Sequence, residues 1–158
     1  MRVLAAILAF SAVGLAAGYC PAASISFDGS ILDTCTLALT SNGTLGASLD
    51  GTTMGSEVGS GHAAKMTILS TGSHTIQVAA PSRTSPPPSG YNTATETVAV
   101  AYSGETLLSG VSQPYTSSAT SFPVGTIALT TLDLNSRITN PSGFATGSYT
   151  TQTVVTCN

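Results

Sequence analysis

The residues with most chemistry to offer are three cysteines, Cys20, Cys35 and Cys157, and two histidines, His62 and His74. Thiols at short spacing bind metals, a thiol beside an imidazole is a nucleophile, and thiols in an oxidising compartment form disulfides. No His or second Cys stands at ligand spacing from Cys35 or Cys157, so neither a metal nor a cofactor is expected. His62 lies in Gly59-Ser60-Gly61-His62, a loop composition, and His74 opens a strand-like stretch just after a turn. Serines are plentiful, but no Gly-x-Ser-x-Gly elbow holds one as a nucleophile. A triad is defined by geometry and stays open, as does a carboxylate pair for glycoside chemistry. The seven acidic residues, Asp28 to Asp133, are scattered without a calcium-loop pattern. Asp28-Gly29 and Asp50-Gly51 read as turns, and so does Asn42-Gly43-Thr44, despite its form as a glycosylation sequon. The expectation is a non-catalytic protein, with a secreted hydrolase as the minor alternative.

The fate of the cysteines depends on the N-terminus. Arg2 is followed by Val3 to Ala17, an uncharged run rich in Ala, Leu and Val that breaks off at Gly18-Tyr19-Cys20-Pro21. It is shorter than the roughly 20 residues a membrane span needs and matches a secretory signal. We expect residues 1–22 to be the signal peptide, cleaved at Ala22 or Ala23, and residues 23–158 to form one domain. Lipidation of Cys20 is the alternative, although Tyr19 is bulky for the position before a lipidated Cys. With Cys20 removed, Cys35 and Cys157 remain. In Cys35-Thr36-Leu37-Ala38-Leu39 the Cys shares a face with both leucines; near the end, Cys157 shares one with Val155 and Tyr149. A disulfide between them would close a loop of more than 120 residues, with a metal or catalytic thiol as the other reading.

The elements that must hold these residues are strands. Charged residues are only 7% of the 158 and the net charge is −3, so there is no basic surplus to neutralise a phosphate backbone and nucleic acid is not an expected partner. Ser and Thr together number 47. With Val, Ile and Tyr they fill short segments between Gly, Asn and Pro clusters. The pattern predicts strands over 24–27, 31–40, 65–70, 74–79, 95–102, 106–108, 124–132 and 147–157, with a short one around Leu45, Ala47 and Leu49. The arms 65–70 and 74–79 read as a hairpin through Thr71-Gly72-Ser73, and Ser103-Gly104-Glu105 reads as a turn. Pro81 to Gly90, with four prolines, and the polar run Ser112 to Ser121 read as loops; the first is expected to be exposed and cut by proteases near Arg83. No helical period follows the signal. The fold class expected is all-β, a single Ig-like or pilin-like antiparallel β-sandwich.

Three segments resemble a family. Ile25-Ser26-Phe27-Asp28-Gly29-Ser30-Ile31-Leu32-Asp33-Thr34-Cys35-Thr36-Leu37 is similar to the start of fimbrial subunits, where a Phe-x-Gly strand leads to a Cys. Gly147-Ser148-Tyr149-Thr150-Thr151-Gln152-Thr153-Val154-Val155-Thr156-Cys157 resembles the closing Gly-x-Tyr strand of fimbrial and spore-coat-U-like secreted proteins. The stretch from Met66 to Ala80 resembles their middle hairpin. The resemblance implies a secreted bacterial β-sandwich, in many members built into surface fibres by a periplasmic chaperone and an outer-membrane usher. The chain departs from that pattern in lacking a second Cys some tens of residues after Cys35, and in the short segment before Cys35. Both departures suit a self-complete sandwich. The expected role is an exported structural or surface protein, fimbria-like or a coat subunit, found secreted, periplasmic or on the cell surface. Its expected partners are copies of itself or other surface subunits, and its mature chain has no membrane span. The alternative is a self-contained binding or adhesion module.

Overall fold

The computed structural model describes residues 29–30, 32–105, 110–125 and 128–158. The expected signal segment, Cys20, the expected cleavage positions Ala22 and Ala23, and the strands expected over 24–27 and 106–108 lie outside the described residues. The description below concerns the unit from residue 31 onward.

Twelve strands and no helix occur among the described residues. In chain order they are β1 (Cys35–Ser41), β2 (Gly46–Ala47), β3 (Thr53–Gly55), β4 (Ala64–Ser70), β5 (His74–Val78), β6 (Ser82–Arg83), β7 (Thr97–Glu105), β8 (Gly110–Thr116), β9 (Thr120–Val124), β10 (Ala128–Thr139), β11 (Thr151–Gln152) and β12 (Val155–Cys157). They pair antiparallel into sheets of seven, three and two strands. The all-β antiparallel class expected from the residues is therefore observed.

β10 organises the seven-stranded sheet. Its whole second half and more, Thr131–Thr139, pairs with β7 along one edge. Its other edge takes β4 over residues 128–134 and β3 over 137–139, end to end. β1 extends the sheet beyond β4, β8 beyond β7, and β2 beyond β3. The three-stranded sheet places β5 between β12 and β9. One buried cluster draws Ile68, Val100, Tyr102, Leu132 and Leu134 from the first sheet and Ile76, Val78, Phe122 and Val124 from the second. The alternation Ile76/Val78 against Thr75/Gln77 is the period-2 signal that places one face of β5 in this core.

Several sequence readings are corrected. The arms 65–70 and 74–79 are strands, but they are not a hairpin: β4 gives its edges to β1 and β10, β5 to β12 and β9, and Thr71-Gly72-Ser73 turns the chain from one sheet to the other. A short Gly-containing turn serves either purpose; the choice depends on which strand edges are free. The run Ser112–Ser121 is not a loop but most of β8 and the start of β9. Both are edge strands, where Pro114 and Pro123 cost no interior ladder bond. Ser103-Gly104-Glu105 is the end of β7, not a turn. The single strand expected over 124–132 straddles the end of β9 and the start of β10, which lie in different sheets. β10 itself continues to Thr139, pairing with β7 and β3, and Asp133, Asn135 and Arg137 find partners in Lys65, Ser56 and Glu57. The last strand is two short pieces, β11 and β12. Around Leu45 only Gly46–Ala47 is strand, and Leu49 is fully exposed.

Pro81–Gly90 is also more than an exposed loop. Ser82–Arg83 pairs with β11. The Arg83 side chain is only 10% exposed, 3.1 Å from Glu96, itself 8% exposed, and its guanidinium lies over the Tyr91 ring. Tyr91 and Phe144 stack, and Tyr149 meets both edge-on, at centroid distances of 5.0–5.9 Å. Buried Asn140 ties the same region down, accepting from the Thr95 hydroxyl and donating to the Asn92 carbonyl. An arginine held this way is a poor protease site.

Candidate functional site

The chemistry-bearing side chains meet where β1, β5 and β12 begin or end. Cys35 opens β1, in register with Ser70 of β4. Cys157 closes β12, in register with Ile76 of β5. The two are joined by a disulfide across a sequence separation of 122, with Cα atoms 6.3 Å apart, inside the separation a bridge requires. β1 and β12 share no ladder, so the bond links two sheets across their edges. Both cysteines are half-buried and pack against the core cluster.

His74 stands beside the bridge. As the first residue of β5 it shares a face with Ile76 and Val78, and one of its ring nitrogens lies within 4.8 Å of both sulfurs. Its Nε2 is 2.7 Å from Asp33 Oδ1, although not along a hydrogen-bonding direction, because that buried nitrogen has no aligned partner. Asp33 is placed by the turn between β4 and β5. The Thr34 N–H donates to the Thr71 hydroxyl oxygen at 2.9 Å, the Thr71 N–H donates to the Thr34 carbonyl, and the Thr71 hydroxyl donates to the Leu32 carbonyl at 2.6 Å. Gly72 lets the Asp33 carboxylate approach, since a Cβ there would sit 1.6 Å from Asp33 Oδ1 and turn that side chain away. The sequence pairing of Cys35 with Cys157 is observed. What sequence spacing missed is His74, 39 residues from Cys35 along the chain yet adjacent in space. Its one signal was parity: His74, Ile76 and Val78 alternate onto one face.

His62 is elsewhere. It bridges Thr44 through reciprocal backbone bonds at 2.9 and 3.1 Å, and its exposed ring approaches only its neighbour's carbonyl. Among the described residues neither imidazole hydrogen-bonds a serine or threonine hydroxyl. Among the described residues the Lys and Arg side chains are each matched to a carboxylate: Lys65 with Asp133 at 2.8 Å, Arg83 with Glu96, and Arg137 with Glu57 at 3.3 Å. Arg137 also lies 3.9 Å over the Tyr115 ring, whose hydroxyl donates to Glu57. Burial, then that bond to Glu57, raises the Tyr115 pKa. Asp50 accepts from the Ser48 and Thr52 hydroxyls and the Thr52 N–H, which lowers its pKa. The Asp50 turn is thus a self-contained Asx-type turn.

Two open depressions lie on sheet faces. One runs along β7 and β10 past Glu105, Leu129 and Asp133; the other crosses Gln77, Thr120 and Val154. Neither holds a histidine or a cysteine. Among the described residues no helix is long and apolar enough to cross a membrane. No family model, curated protein or solved structure matches this chain.

Proposed function

We propose that the chain is an exported, non-catalytic surface protein, a fimbria-like or coat subunit that assembles with copies of itself or with other surface subunits. Its domain is read as an Ig-like β-sandwich behind a cleaved signal peptide, and its setting as the periplasm, cell surface or medium of a bacterium. A core fed by the inner faces of two sheets supports the sandwich reading. The Cys35–Cys157 bridge fits an oxidising compartment.

One observation carries the assembly reading. Among the described residues β1 pairs only with β4, which leaves its other edge open. Its sequence, CTLALTS, contains no charge and no proline, the usual devices that blunt an edge. A bulge at its end leaves Cys35–Leu39 regular. Beside it, register places Leu69 of β4 next to Leu129 of β10, and both are about half exposed. An open edge flanked by apolar side chains invites a further strand. Sedimentation over a wide concentration range tests this. Reversible association should appear in the natural chain and vanish in an Ala38→Lys/Thr40→Lys variant whose β-sheet circular dichroism is unchanged. A natural chain that stays monomeric at every concentration would remove the reading in favour of the self-contained binding or adhesion module. That alternative is supported by the intrachain bridge, which ties the last strand to the first.

A further inference from the structure

Cys35 Sγ, Cys157 Sγ and a His74 ring nitrogen lie within 4.8 Å of one another. Around a tetrahedral Zn2+, with Zn–S near 2.3 Å and Zn–N near 2.0–2.1 Å, such donors stand roughly 3.5–3.8 Å apart. Three donors are therefore gathered within reach of one ion, from β1, held in its ladder with β4, and from β5 and β12, which pair with each other. While the sulfurs are bonded to each other they cannot ligate. Once the bond opens, side-chain rotation is enough to separate them, because the Cα atoms stand 6.3 Å apart. Local charge favours a cation. Asp33 adds a carboxylate 2.7 Å from His74 Nε2, and the basic side chains of Lys65, Arg83 and Arg137 are engaged with other carboxylates. The buried His74 Nε2 faces the Asp33 carboxylate without hydrogen-bond alignment, a contact that a bound cation would replace.

We propose that reduction converts the Cys35–Cys157 bridge into a Cys2His site, with His74, for a thiolate-preferring divalent cation such as Zn2+, so that bridge and metal exclude one another. In the opening step an external dithiol passes two electrons and two protons to the disulfide. Two thiols form, and the dithiol is oxidised to its own disulfide. The cation then binds as the two thiol protons leave to solvent. Water or the Asp33 carboxylate fills the fourth position.

The test uses the whole chain as purified. It is reduced with a dithiol, freed of reductant without air, and titrated with Co2+ while absorbance and circular dichroism are followed. One Co2+ per chain is expected, with thiolate-to-metal charge transfer and tetrahedral d–d bands that Zn2+ abolishes by displacement. The oxidised chain should show neither. His74→Ala should weaken binding at least about tenfold, since loss of an outer-shell partner alone typically costs about 10–100-fold. Absence of the charge-transfer band in the reduced chain overturns the proposal. So does an unchanged affinity in His74→Ala, which would mark adventitious binding by two thiolates. A reduced chain that loses its β signal and does not regain it with Zn2+ overturns it as well.

Discussion

At single residues, the largest covalent contribution is the bridge. It closes a 122-residue separation, and loss of a native bridge in a small exported domain typically costs about 2–5 kcal/mol. Cys157→Ser should therefore lower the urea midpoint by that amount of stability and loosen β12 first; an unchanged midpoint would mean the last strand is held without it. Tyr91 gives a pH-dependent effect of known sign. Burial and its bond to Glu96 push its pKa from 10.0 up to about 12. The native state thus keeps the neutral phenol while the unfolded chain ionises near 10. The stabilisation is complete below pH 10 and is lost as pH rises toward 12. Tyrosinate absorbance of the folded chain should show a late-titrating tyrosine that disappears in Tyr91→Phe. Asp50 runs the other way: its carboxylate is favoured in the fold, so the Ser48–Thr52 turn should weaken as pH falls below the ordinary 3.8 toward its lowered native value. Amide exchange at Thr52, whose N–H donates to that carboxylate, reports it.

At the level of elements, the segment around β6 is held by charge and aromatic contacts. Glu96→Gln would leave the Arg83 guanidinium buried without its counter-ion, and breaking such a pair costs about 3–5 kcal/mol. Trypsin should spare Arg83 in the natural chain and cut there in Glu96→Gln; early cutting at Arg83 in the natural chain would contradict the ion pair. β10 has the opposite character. It contacts β3, β4 and β7 through its ladders and sends Leu132, Leu134 and Ile138 into buried positions. Leu132, with no exposed surface, should cost about 2–5 kcal/mol on replacement by Ala, measured by denaturant unfolding, and β10 amides should exchange slowest. Polar residues in this strand are no contradiction. The Ser56 hydroxyl donates to Asn135 Oδ1 and accepts from the Ser136 N–H, and Lys65 pairs with Asp133, whereas the buried Thr130 hydroxyl and Arg137 Nε of the same strand have no hydrogen-bond partner.

For the molecule as a whole, a single buried cluster shared by two sheets predicts one cooperative unfolding transition. Far-ultraviolet circular dichroism of the chain from about residue 31 onward should show sheet and almost no helix. Thiol titration of the unfolded, unreduced chain should find neither Cys35 nor Cys157 reactive. The surface carries few charges and many hydroxyls, so like-charge repulsion between copies is weak. Association through the open β1 edge should accordingly depend little on salt, which sedimentation at low and high ionic strength checks.

Period-2 alternation and turn residues were enough to identify an all-β chain, because they report what each backbone segment does locally. The Cys35–Cys157 pairing was legible as well, since removal of the expected signal segment would leave those two thiols and both face the apolar side of strand-like segments. Pairing partners were not legible. Thr71-Gly72-Ser73 has the same local chemistry whether it closes a hairpin or crosses between sheets, and only the competition for strand edges sent β4 to β10 and β5 to β9. Ser112–Ser121 looked like a loop because an edge strand can be polar and carry proline. Asp133–Thr139 escaped notice because its polar groups find partners far away in sequence, such as Ser56. The meeting of His74 and Asp33 with the bridge belongs to the same class. Three strands remote in sequence converge there, and no spacing rule along one chain encodes a distance set by the packing of two sheets.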